Sequence, residues 1–403
     1  MRCLWIGRDC PYPADSGDLI YSSNLLESFR DAGATVTALH RRRPATEAAL
    51  APGVEWDLVA SKTRREIGSL LTRSPNISHR YNTTSLREAL AAQLDREWDA
   101  ILLDHIGAGW ALPQVRGHLT QRPETVLVYL SQNHEASTRR AVARNASGNP
   151  LRRAALRYDA WKAGVLERSV VAAAELIGVV TPDDAAAFAA HGTDADNIVI
   201  LLPGYLDRVV ESRTITSDLP RRAVVVGSFD WVAKRMNLEE LVDVADARFA
   251  AAGAELLVVG RGPEPWLDRL RARTRATRFT GMVDDVVAYL DDARIGLVAE
   301  RSGGGFKIKV LHYVFNRVPV AALEGSLAGV PLVPGDSDIE APSIDALVDR
   351  VLAVIDDVDE LDRLQRAAFA ACAGAFDWGS RGRALYDAIS ERRRTRALAR
   401  PAR

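Results

Sequence analysis

The chain of 403 residues exceeds what one ordinary hydrophobic core supports, so its length indicates two domains. Apolar residues make up 47% and charged residues 26%, as in folded globular proteins, which excludes extensive disorder. Fifty-two Lys and Arg against fifty-three Asp and Glu give a net charge of -1, which provides no general attraction to nucleic acid or to an anionic membrane. We therefore expect no nucleic-acid partner, and any anion site must be local.

The three cysteines, Cys3, Cys10 and Cys372, form no C-x-x-C pair and have no metal-ligand spacing. This indicates a reducing, cytoplasmic location without a disulfide framework. No apolar stretch reaches the length of a membrane span, and the first residues do not resemble a signal peptide. The arginines of 40–44 and 391–403 leave open a peripheral contact with the inner face of a membrane, although a solvated turn and a frayed terminus explain them better.

Strands and helices alternate along the first half of the chain. A short apolar run at 3–7 predicts a strand, and residues 19–33 have the apolar spacing of a helix before a second strand at 34–40. The further predicted strands of this half are 99–106, 124–133, 175–181 and 197–204, and the helices between them include 86–98 and 151–174. This alternation is typical of a parallel sheet covered by helices on both faces.

The same alternation restarts after a polar segment at 207–220 that ends in proline, as an interdomain linker does. The predicted strands of the second half lie within 221–231, 254–262, 276–283, 293–300 and 317–323. The expected fold class is α/β, with two Rossmann-like doubly wound domains at 1–206 and 207–376. The final helix, within 377–403, is free to cross back onto the first domain.

Ligands of open α/β sheets bind at the carboxyl ends of the strands, so the loops at those ends hold the candidate site residues. In the first half, Ser16 and Gly17 precede a helix whose free N–H groups favour an anion, although an ordinary strand-to-helix turn explains them equally well. Two further strand ends carry residues that could meet a substrate, with a structural role as the alternative for each. These residues are His105 on one strand and Asn133, His134 and Glu135 on the other.

In the second half, Gly227 and Ser228 end a strand, and Lys234 and Arg235 follow near a helix start. Paired cations at such a junction could hold a diphosphate and neutralise the charge that develops as it leaves. A solvated helix start is the alternative.

A later glycine-bearing loop holds Met282 and Val283, whose backbone could read the edge of a flat ring. No loop matches a dinucleotide-binding fingerprint, so NAD is disfavoured. No carboxylate or histidine cluster has metal spacing, so we expect neither a bound metal nor another cofactor.

Three glycines, Gly303 to Gly305, directly precede a segment with helical spacing. At about 100° per residue, Lys309, His312, Tyr313 and Asn316 share one face, which we expect to be solvated. Free N–H groups, the helix dipole and the lysines together predict an anion site with hydroxyl-binding groups beside it. A solvated surface helix is the alternative.

Several blocks occur in a characteristic order: "PADSG" with its helix, "NHE", "LLPGYLD", "VVVGSFDWVAKRMNLEEL", "LLVVGRGP", and in tandem "RFTGMVDDVVAYLDDARIGLVAE" and "GGGFKIKVLHYVFNRVPVAAL". Together they resemble the retaining GT-B glycosyltransferases often called family 4, over most of the chain. The resemblance implies two domains that face each other across a cleft, with a UDP- or GDP-sugar donor bound mostly against the C-terminal domain. It also implies a bacterial-like hexosyltransferase that needs no metal.

Carried over by position, the resemblance assigns Gly17 to the neighbourhood of the diphosphate and His134 to the reacting sugar. Lys234 with Arg235 would clamp the diphosphate, whose departing oxygen helps to deprotonate the acceptor hydroxyl. The backbone near Val283 would contact the base. The phosphates and sugar of the donor would be held by the segment Gly304, Gly305, Phe306, Lys307 and Lys309.

The chain departs from the family at two positions. Most members have two glutamates flanking the glycine loop, one at the donor sugar and one at the ribose, where this chain has Gly304 and His312. His312 can still hydrogen-bond to ribose hydroxyls. Two alternatives therefore stay open, a sugar-nucleotide-binding subunit without catalysis and a sugar-nucleotide epimerase of the same fold, with Glu135 and Asp104 as its acid and base.

The sequence does not identify the acceptor, and a saccharide, a lipid-linked sugar and a small metabolite are all compatible with it. We expect acceptor contacts in the first domain, from His105, Asn133 and Glu135 and from the variable loop 60–83. The arginines of that loop suggest an anionic or polyhydroxylated acceptor, and exposed loop arginines explain them equally well. No sequence feature indicates an oligomeric state.

Overall fold

A computed structural model describes residues 1–44, 50–145, 149–300 and 305–399. The chain forms two compact units, Met1–Gly204 together with Asp377–Arg403, and Tyr205–Phe376. The boundary that we placed after residue 206 thus lies close to the start of the second unit. The candidate residues Gly303 and Gly304 lie outside the described ranges.

The first unit contains a parallel sheet whose central strands are buried, as expected for strands covered on both faces. Its strands are β1 (Arg2–Asp9), β2 (Thr35–Arg41), β3 (Glu55–Val59), β4 (Ala100–Asp104), β5 (Val126–Ser131), β6 (Leu176–Val179) and β7 (Ile198–Ile200). Their order across the sheet is β3-β2-β1-β4-β5-β6-β7, and all neighbours are parallel.

Helices connect the strands of the first unit. They are α1 (Gly17–Asp31), α2 (Asn76–His79), α3 (Thr84–Leu94), α4 (Leu112–Gln121), α5 (Glu135–Asn145), α6 (Pro150–Val171) and α7 (Pro182–Ala190). Short 3-10 helices occur at Glu66–Leu71, Ile106–Ala111 and Ala195–Asn197.

The second unit contains a second parallel sheet, with strands β8 (Arg222–Val226), β9 (Glu255–Val259), β10 (Thr277–Phe279), β11 (Ile295–Val298), β12 (Val320–Leu323) and β13 (Ile339–Ala341). Their order is β10-β9-β8-β11-β12-β13. The helices are α8 (Val232–Ala252), α9 (Glu264–Arg271), α10 (Lys309–Phe315), α11 (Ile344–Val354) and α12 (Val358–Cys372), with a 3-10 helix at Val287–Tyr289. Val225 packs in one apolar cluster and its neighbours Val224 and Val226 in another, so both faces of the sheet are buried.

The last helix, α13 (Trp378–Ala399), returns to the first unit and packs against α1. A Cβ on Gly382 would lie 2.1 Å from the backbone of Ser28, so the two helices meet at a position that only glycine allows. The rings of Tyr386 and Phe29 add an aromatic contact, with centroids 6.3 Å apart. The prediction that the final helix crosses back onto the first domain is confirmed.

The α/β class and the two doubly wound sheets are likewise confirmed. The sequence pattern does not predict β3 and β13. Both lie at a sheet edge, where β3 has no buried residue and β13 has three residues in all, so neither has the continuous apolar run that marks a central strand.

Strand order reverses once in each sheet, between β1 and β4 and between β8 and β11. At such a switch point the loops that leave two adjacent strands turn to opposite sides of the sheet and open a crevice at the carboxyl ends. Residues that follow these four strands are therefore the places where each unit would bind a ligand.

Candidate active site

The loops after β8, β9 and β10 are tied together by their backbones. The N–H of Gly227 donates to the carbonyl of Val259 at 3.0 Å, and that of Gly260 donates to the carbonyl of Gly281 at 3.2 Å. Gly260 has a φ of +135°, and a Cβ on it would lie 1.7 Å from the carbonyl oxygen of Gly227. Gly227, Gly260 and Gly281 thus bring the three loops together at positions where side chains would interfere, and we refer to them as the glycine platform.

One carboxylate and three lysines meet at the switch point beside this platform. Glu300, which follows β11, contacts Lys309 at the start of α10 directly and Lys307 at 3.6 Å. A Cβ on Gly227 would lie 3.9 Å from the Nζ of Lys309. The charge of Lys234, in the first turn of α8, acts on both Glu300 and Lys307. We refer to Glu300, Lys234, Lys307 and Lys309 as the lysine cluster, whose excess of positive charge suits a polyvalent anion.

Burial and charge together set the ionisation of the lysine cluster. Burial raises the pKa of Glu300, but the charges of Lys309, Lys307 and Lys234 outweigh it and bring the pKa down to about 2. Glu300 is therefore ionised at neutral pH. Burial lowers the pKa of Lys307, and the Glu300 carboxylate opposes this effect. A bound phosphate group would favour the charged form of Lys307 further.

Of the predicted pair Lys234 and Arg235, Lys234 belongs to the lysine cluster, whereas the described contacts of Arg235 lie in the loop after β8. The Arg235 guanidinium donates to the carbonyl oxygens of Phe229 at 3.2 Å and Asp230 at 2.7 Å. The Ser228 hydroxyl donates to the Asp230 carboxylate at 3.0 Å. These contacts of Arg235 and Ser228 hold the shape of the loop after β8.

The face of α10 that we expected to be solvated is largely buried, so that expectation is wrong. Tyr313 is 0% and Asn316 is 1% exposed. The Tyr313 hydroxyl accepts a hydrogen bond from the N–H of Val226 at 2.9 Å, and its ring occupies the space that a Cβ on Gly296 would need. The hydroxyl is buried because it satisfies a main-chain donor at the end of β8, which the helical spacing alone cannot indicate.

His312 lies further along α10, against the segment that begins the second unit. Its Nδ1 is 3.6 Å from the carboxylate of Asp207, and its ring meets that of Tyr205 edge-on with centroids 5.5 Å apart. Burial lowers the pKa of His312, while the charges of Asp207 and Asp285 oppose that shift. Within the described residues, this buried Nδ1 has no hydrogen-bond partner, so it can serve a ligand hydroxyl.

The remaining candidates of the second unit occupy two loops. Met282, after β10, has a side chain that is 71% exposed, and Val283 packs on the apolar cluster below. Gly305 has a φ of +78°, which favours glycine, and Phe306 packs against Phe376 with ring centroids 5.7 Å apart.

The first unit holds a buried polar network at its own switch point. His105 follows β4 with a φ of +69°, which is strained for a residue other than glycine. Its Nδ1 accepts a hydrogen bond from the N–H of Gly107 at 2.9 Å, which places the proton on Nε2, 3.2 Å from Glu135. Glu135 also accepts a hydrogen bond from Arg139 at 2.7 Å. Both ring nitrogens of His105 and both carboxylate oxygens of Glu135 therefore already have partners within the protein.

The N-terminus of α1 already carries a negative charge. Asp18 accepts a hydrogen bond from the Ser16 hydroxyl at 2.6 Å and pairs with Arg8 at 2.6 Å. Burial raises the pKa of Asp18, but Arg8 and Ser16 hold it well below its usual range. An anion near Ser16 and Gly17 would therefore meet a carboxylate together with the guanidinium of Arg8, a residue that the sequence pattern does not single out.

His134 lies in a separate cluster of the first unit, beside the partly exposed Asn133. The backbone N–H of His134 donates to the Asp184 carboxylate at 2.9 Å. Its ring Nδ1 hydrogen-bonds with the Ser137 hydroxyl at 2.7 Å, and its ring centroid is 5.0 Å from that of His191. Burial and the charge of His191 lower the pKa of His134 to about 4. The imidazole is thus neutral at pH 7.

Sequence reasoning misses Glu300, on which the lysine cluster is centred. Glu300 is the second residue after β11, so the rule that selects Gly227 at the end of β8 would also have selected it. An acidic residue ahead of a glycine-rich loop instead resembles a solvated turn. Only the fold brings Lys309 into contact with Glu300.

Among the described residues, no group of three or more His, Cys, Asp and Glu side chains is placed to hold a metal ion. In those same ranges, no helix combines the length and apolar character needed to cross a membrane.

Residues 220–357, which contain the glycine platform and the lysine cluster, match the family described as glycosyl transferases group 1. The chain is a glycosyltransferase. A comparison of its sequence with curated proteins gave no match. The transferase class therefore rests on the family match within the second unit.

Solved structures of glycosyltransferases share the fold of the whole chain. Sucrose-phosphate synthase from Thermosynechococcus elongatus has a TM-score of 0.71 and 17% identity, with 98% of this chain and 100% of that chain covered. Anabaena Alr3699/HepE, in complex with UDP and glucose, has a TM-score of 0.63 and 14% identity, with 97% and 100% covered. WaaG, involved in lipopolysaccharide biosynthesis, has a TM-score of 0.62 and 16% identity, with 97% and 100% covered. At these identities the likeness shows the fold, which is GT-B.

Proposed function

We propose that this glycosyltransferase moves a sugar from a UDP- or GDP-sugar to an acceptor hydroxyl, with retention of the anomeric configuration and without a bound metal ion. The observation that carries the proposal is the lysine cluster beside the glycine platform, in which Lys307 and Lys309 pair with Glu300 and the charge of Lys234 acts on it. The diphosphate is the part of such a donor that clustered cations bind best. Structures of HepE, which has the same fold, hold UDP and UDP-glucose, and this favours a uridine nucleotide as the first donor to test.

The lysines would act on the leaving group. The bond between the anomeric carbon and the diphosphate oxygen breaks, and the acceptor oxygen bonds to that carbon on the same face of the sugar. The acceptor proton passes to the departing diphosphate oxygen. Lys309 and Lys307 would neutralise the charge that develops on the diphosphate, and Glu300 holds both lysines in place beforehand, so that binding costs less side-chain entropy.

The nucleoside would extend from the lysine cluster towards two other parts of the second unit. Its base would lie against the backbone at Met282 and Val283. Its ribose would hydrogen-bond to His312, whose buried Nδ1 has no hydrogen-bond partner within the described residues. Gly305 and Phe306 would contact the phosphates and the sugar.

The first unit would bind the acceptor. Both ring nitrogens of His105 are engaged, by Gly107 and Glu135, so His105 is poorly suited to take the acceptor proton. This favours the departing diphosphate as the base. His105 and Glu135 would instead fix the loop at the switch point, next to the Arg8–Asp18 pair.

The test is a donor panel with the purified full chain. UDP-, GDP- and dTDP-sugars are supplied with simple saccharide acceptors and with water alone, and release of nucleoside diphosphate is measured with and without EDTA. We expect one donor to be consumed at a rate that EDTA does not change, and proton NMR of the glycoside to show the donor's anomeric configuration. An inverted product would disprove retention, and loss of turnover in EDTA would disprove metal independence. Tight nucleotide binding without turnover of any donor would favour the non-catalytic alternative.

A further inference from the structure

Exposed apolar side chains are concentrated in two segments of the first unit. Of the fourteen large apolar side chains that are strongly exposed in the described ranges, seven belong to the 3-10 helix Glu66–Leu71 and to α6. Leu71 is 92%, Leu151 79% and Trp161 60% exposed. Scattered single apolar residues are normal on a protein surface, but a group of this kind marks an interaction site.

The two segments form one surface because buried polar contacts join them. The Nζ of Lys162, a fully buried side chain of α6, donates to the carbonyl of Ser69 at 2.7 Å. The carboxylate of Asp159 accepts a hydrogen bond from the N–H of Asn76 at 2.6 Å, just beyond the 3-10 helix. We call the exposed apolar group the α6 surface, which consists of Ile67, Leu70, Leu71, Leu151, Tyr158, Trp161 and Val165.

The α6 part of this surface is a continuous stripe. Its members Leu151, Tyr158, Trp161 and Val165 fall within about 80° of one another when the helix turns by about 100° per residue. The rings of Tyr158 and Trp161 stack with centroids 5.8 Å apart. Bulky side chains along one helix face, beside the exposed Ile67, Leu70 and Leu71, suit insertion into an apolar layer.

These two segments and the residues around them are strongly basic. Residues 61–80 and 135–168 together contain thirteen Lys and Arg against four Asp and Glu, in a chain whose net charge is -1. The remaining residues must therefore be acidic overall. The exposed arginines of these two ranges are Arg64, Arg65, Arg73, Arg140, Arg144, Arg152, Arg153, Arg157 and Arg168.

We propose that the α6 surface binds an anionic lipid bilayer. Leucine, isoleucine and tryptophan side chains enter the boundary between headgroups and acyl chains, and arginines beside them pair with acidic headgroups. A nucleic acid would use the arginines alone and would leave the apolar stripe in water. The protein therefore docks on an acidic membrane through its first unit, whether or not the proposed sugar transfer is correct.

Co-sedimentation of the purified full chain with lipid vesicles tests this proposal without any activity assay. We expect at least tenfold tighter binding to vesicles of phosphatidylcholine with one quarter phosphatidylglycerol than to phosphatidylcholine alone, and weaker binding at high salt. The double variant Leu71→Ser/Trp161→Ser should lose at least tenfold in vesicle affinity. Val333→Ser/Leu398→Ser, which removes two exposed apolar side chains elsewhere, should bind like the parent.

A second pair of variants tests the charge. Arg152→Gln/Arg153→Gln should weaken binding to the acidic vesicles, whereas Arg269→Gln/Arg275→Gln, in the second unit, should not. Circular dichroism and the melting temperature verify that each variant folds. The proposal is wrong if a variant pair and its control lose the same affinity, or if the protein does not bind acidic vesicles. It is also wrong if binding depends on the arginines but not on Leu71 and Trp161. The last outcome would favour a nucleic acid.

Discussion

Glu300 and Lys309 form a buried ion pair at the carboxyl end of β11, with side chains that are 10% and 12% exposed. A charge at this depth is stable only when it has a partner. The pair is therefore both a structural contact and a preformed part of the proposed diphosphate site. Removal of Glu300 should therefore mainly lower stability, whereas removal of Lys309 should mainly weaken nucleotide binding.

Replacement of Glu300 by glutamine should lower stability, because Lys307 and Lys309 would lose their counter-charge. We expect Glu300→Gln to reduce the free energy of unfolding by about 3 kcal/mol. Since a bound diphosphate replaces the lost negative charge, UDP should raise the melting temperature of this variant by more than that of the parent. The control is Glu324→Gln at an exposed position. Equal UDP shifts in the variant and the parent would contradict the role given to Glu300.

Replacement of Lys309 by methionine should weaken nucleotide binding. A charge-assisted hydrogen bond contributes about 1.5 to 3 kcal/mol, so Lys309→Met should bind UDP about 10 to 100 times more weakly. The affinity should also depend less on salt. Titration calorimetry at two ionic strengths measures both effects, with Arg275→Gln as the control. A Lys309→Met protein that binds UDP as tightly as the parent would remove the lysine cluster from the donor site.

Gly260 is the position where the glycine platform tolerates no side chain. Gly260→Ala places a Cβ 1.7 Å from the Gly227 carbonyl oxygen at a φ of +135°, so the loops after β8 and β9 must separate. We expect a loss of about 3 kcal/mol or more and a loss of UDP affinity. Gly335→Ala has a positive φ without any atom within 4 Å, so it should cost only about 1 kcal/mol and leave UDP binding unchanged. Similar results for both variants would show that strain alone, and not the contact with Gly227, constrains Gly260.

The sequence predicts the fold well because central strands of parallel sheets are continuous apolar runs and helices have a clear period. It predicts single strand ends as well, which is how Gly227 is found, and the helical spacing identifies Lys309. It fails where a residue's role depends on the fold. The hydroxyl of Tyr313 occupies a polar helical position and yet is buried against β8. Glu300 gains its role only because α10 returns its lysines to the end of β11.

Asp338 should make stability depend on pH. Its side chain is fully buried, and burial followed by the charge of Glu340 raises its pKa from 3.8 to about 6. The folded chain therefore binds this proton more tightly than the unfolded chain, so the contribution is complete below about pH 4 and is lost as the pH rises to about 6. Asp338→Asn should be more stable than the parent at pH 7.5 by about 1 to 3 kcal/mol, and the gain should shrink at pH 5. Urea denaturation measures this, with the exposed Asp336→Asn as control. A gain that does not change with pH would contradict the assignment.

His312 should contribute to ribose binding and not to phosphate binding. His312→Ala is expected to weaken UDP binding about tenfold through the lost hydrogen bond and leave binding of inorganic pyrophosphate unchanged, whereas Lys309→Met should weaken both. The family resemblance places a glutamate at this position, but a glutamate here would face Asp207, whose carboxylate lies 3.6 Å from the histidine Nδ1. His312→Glu should therefore bind UDP less well than the double variant His312→Glu/Asp207→Asn, in which the like charge is removed. If His312→Ala weakens pyrophosphate binding as much as UDP binding, the residue acts on the phosphates and the ribose contact is wrong.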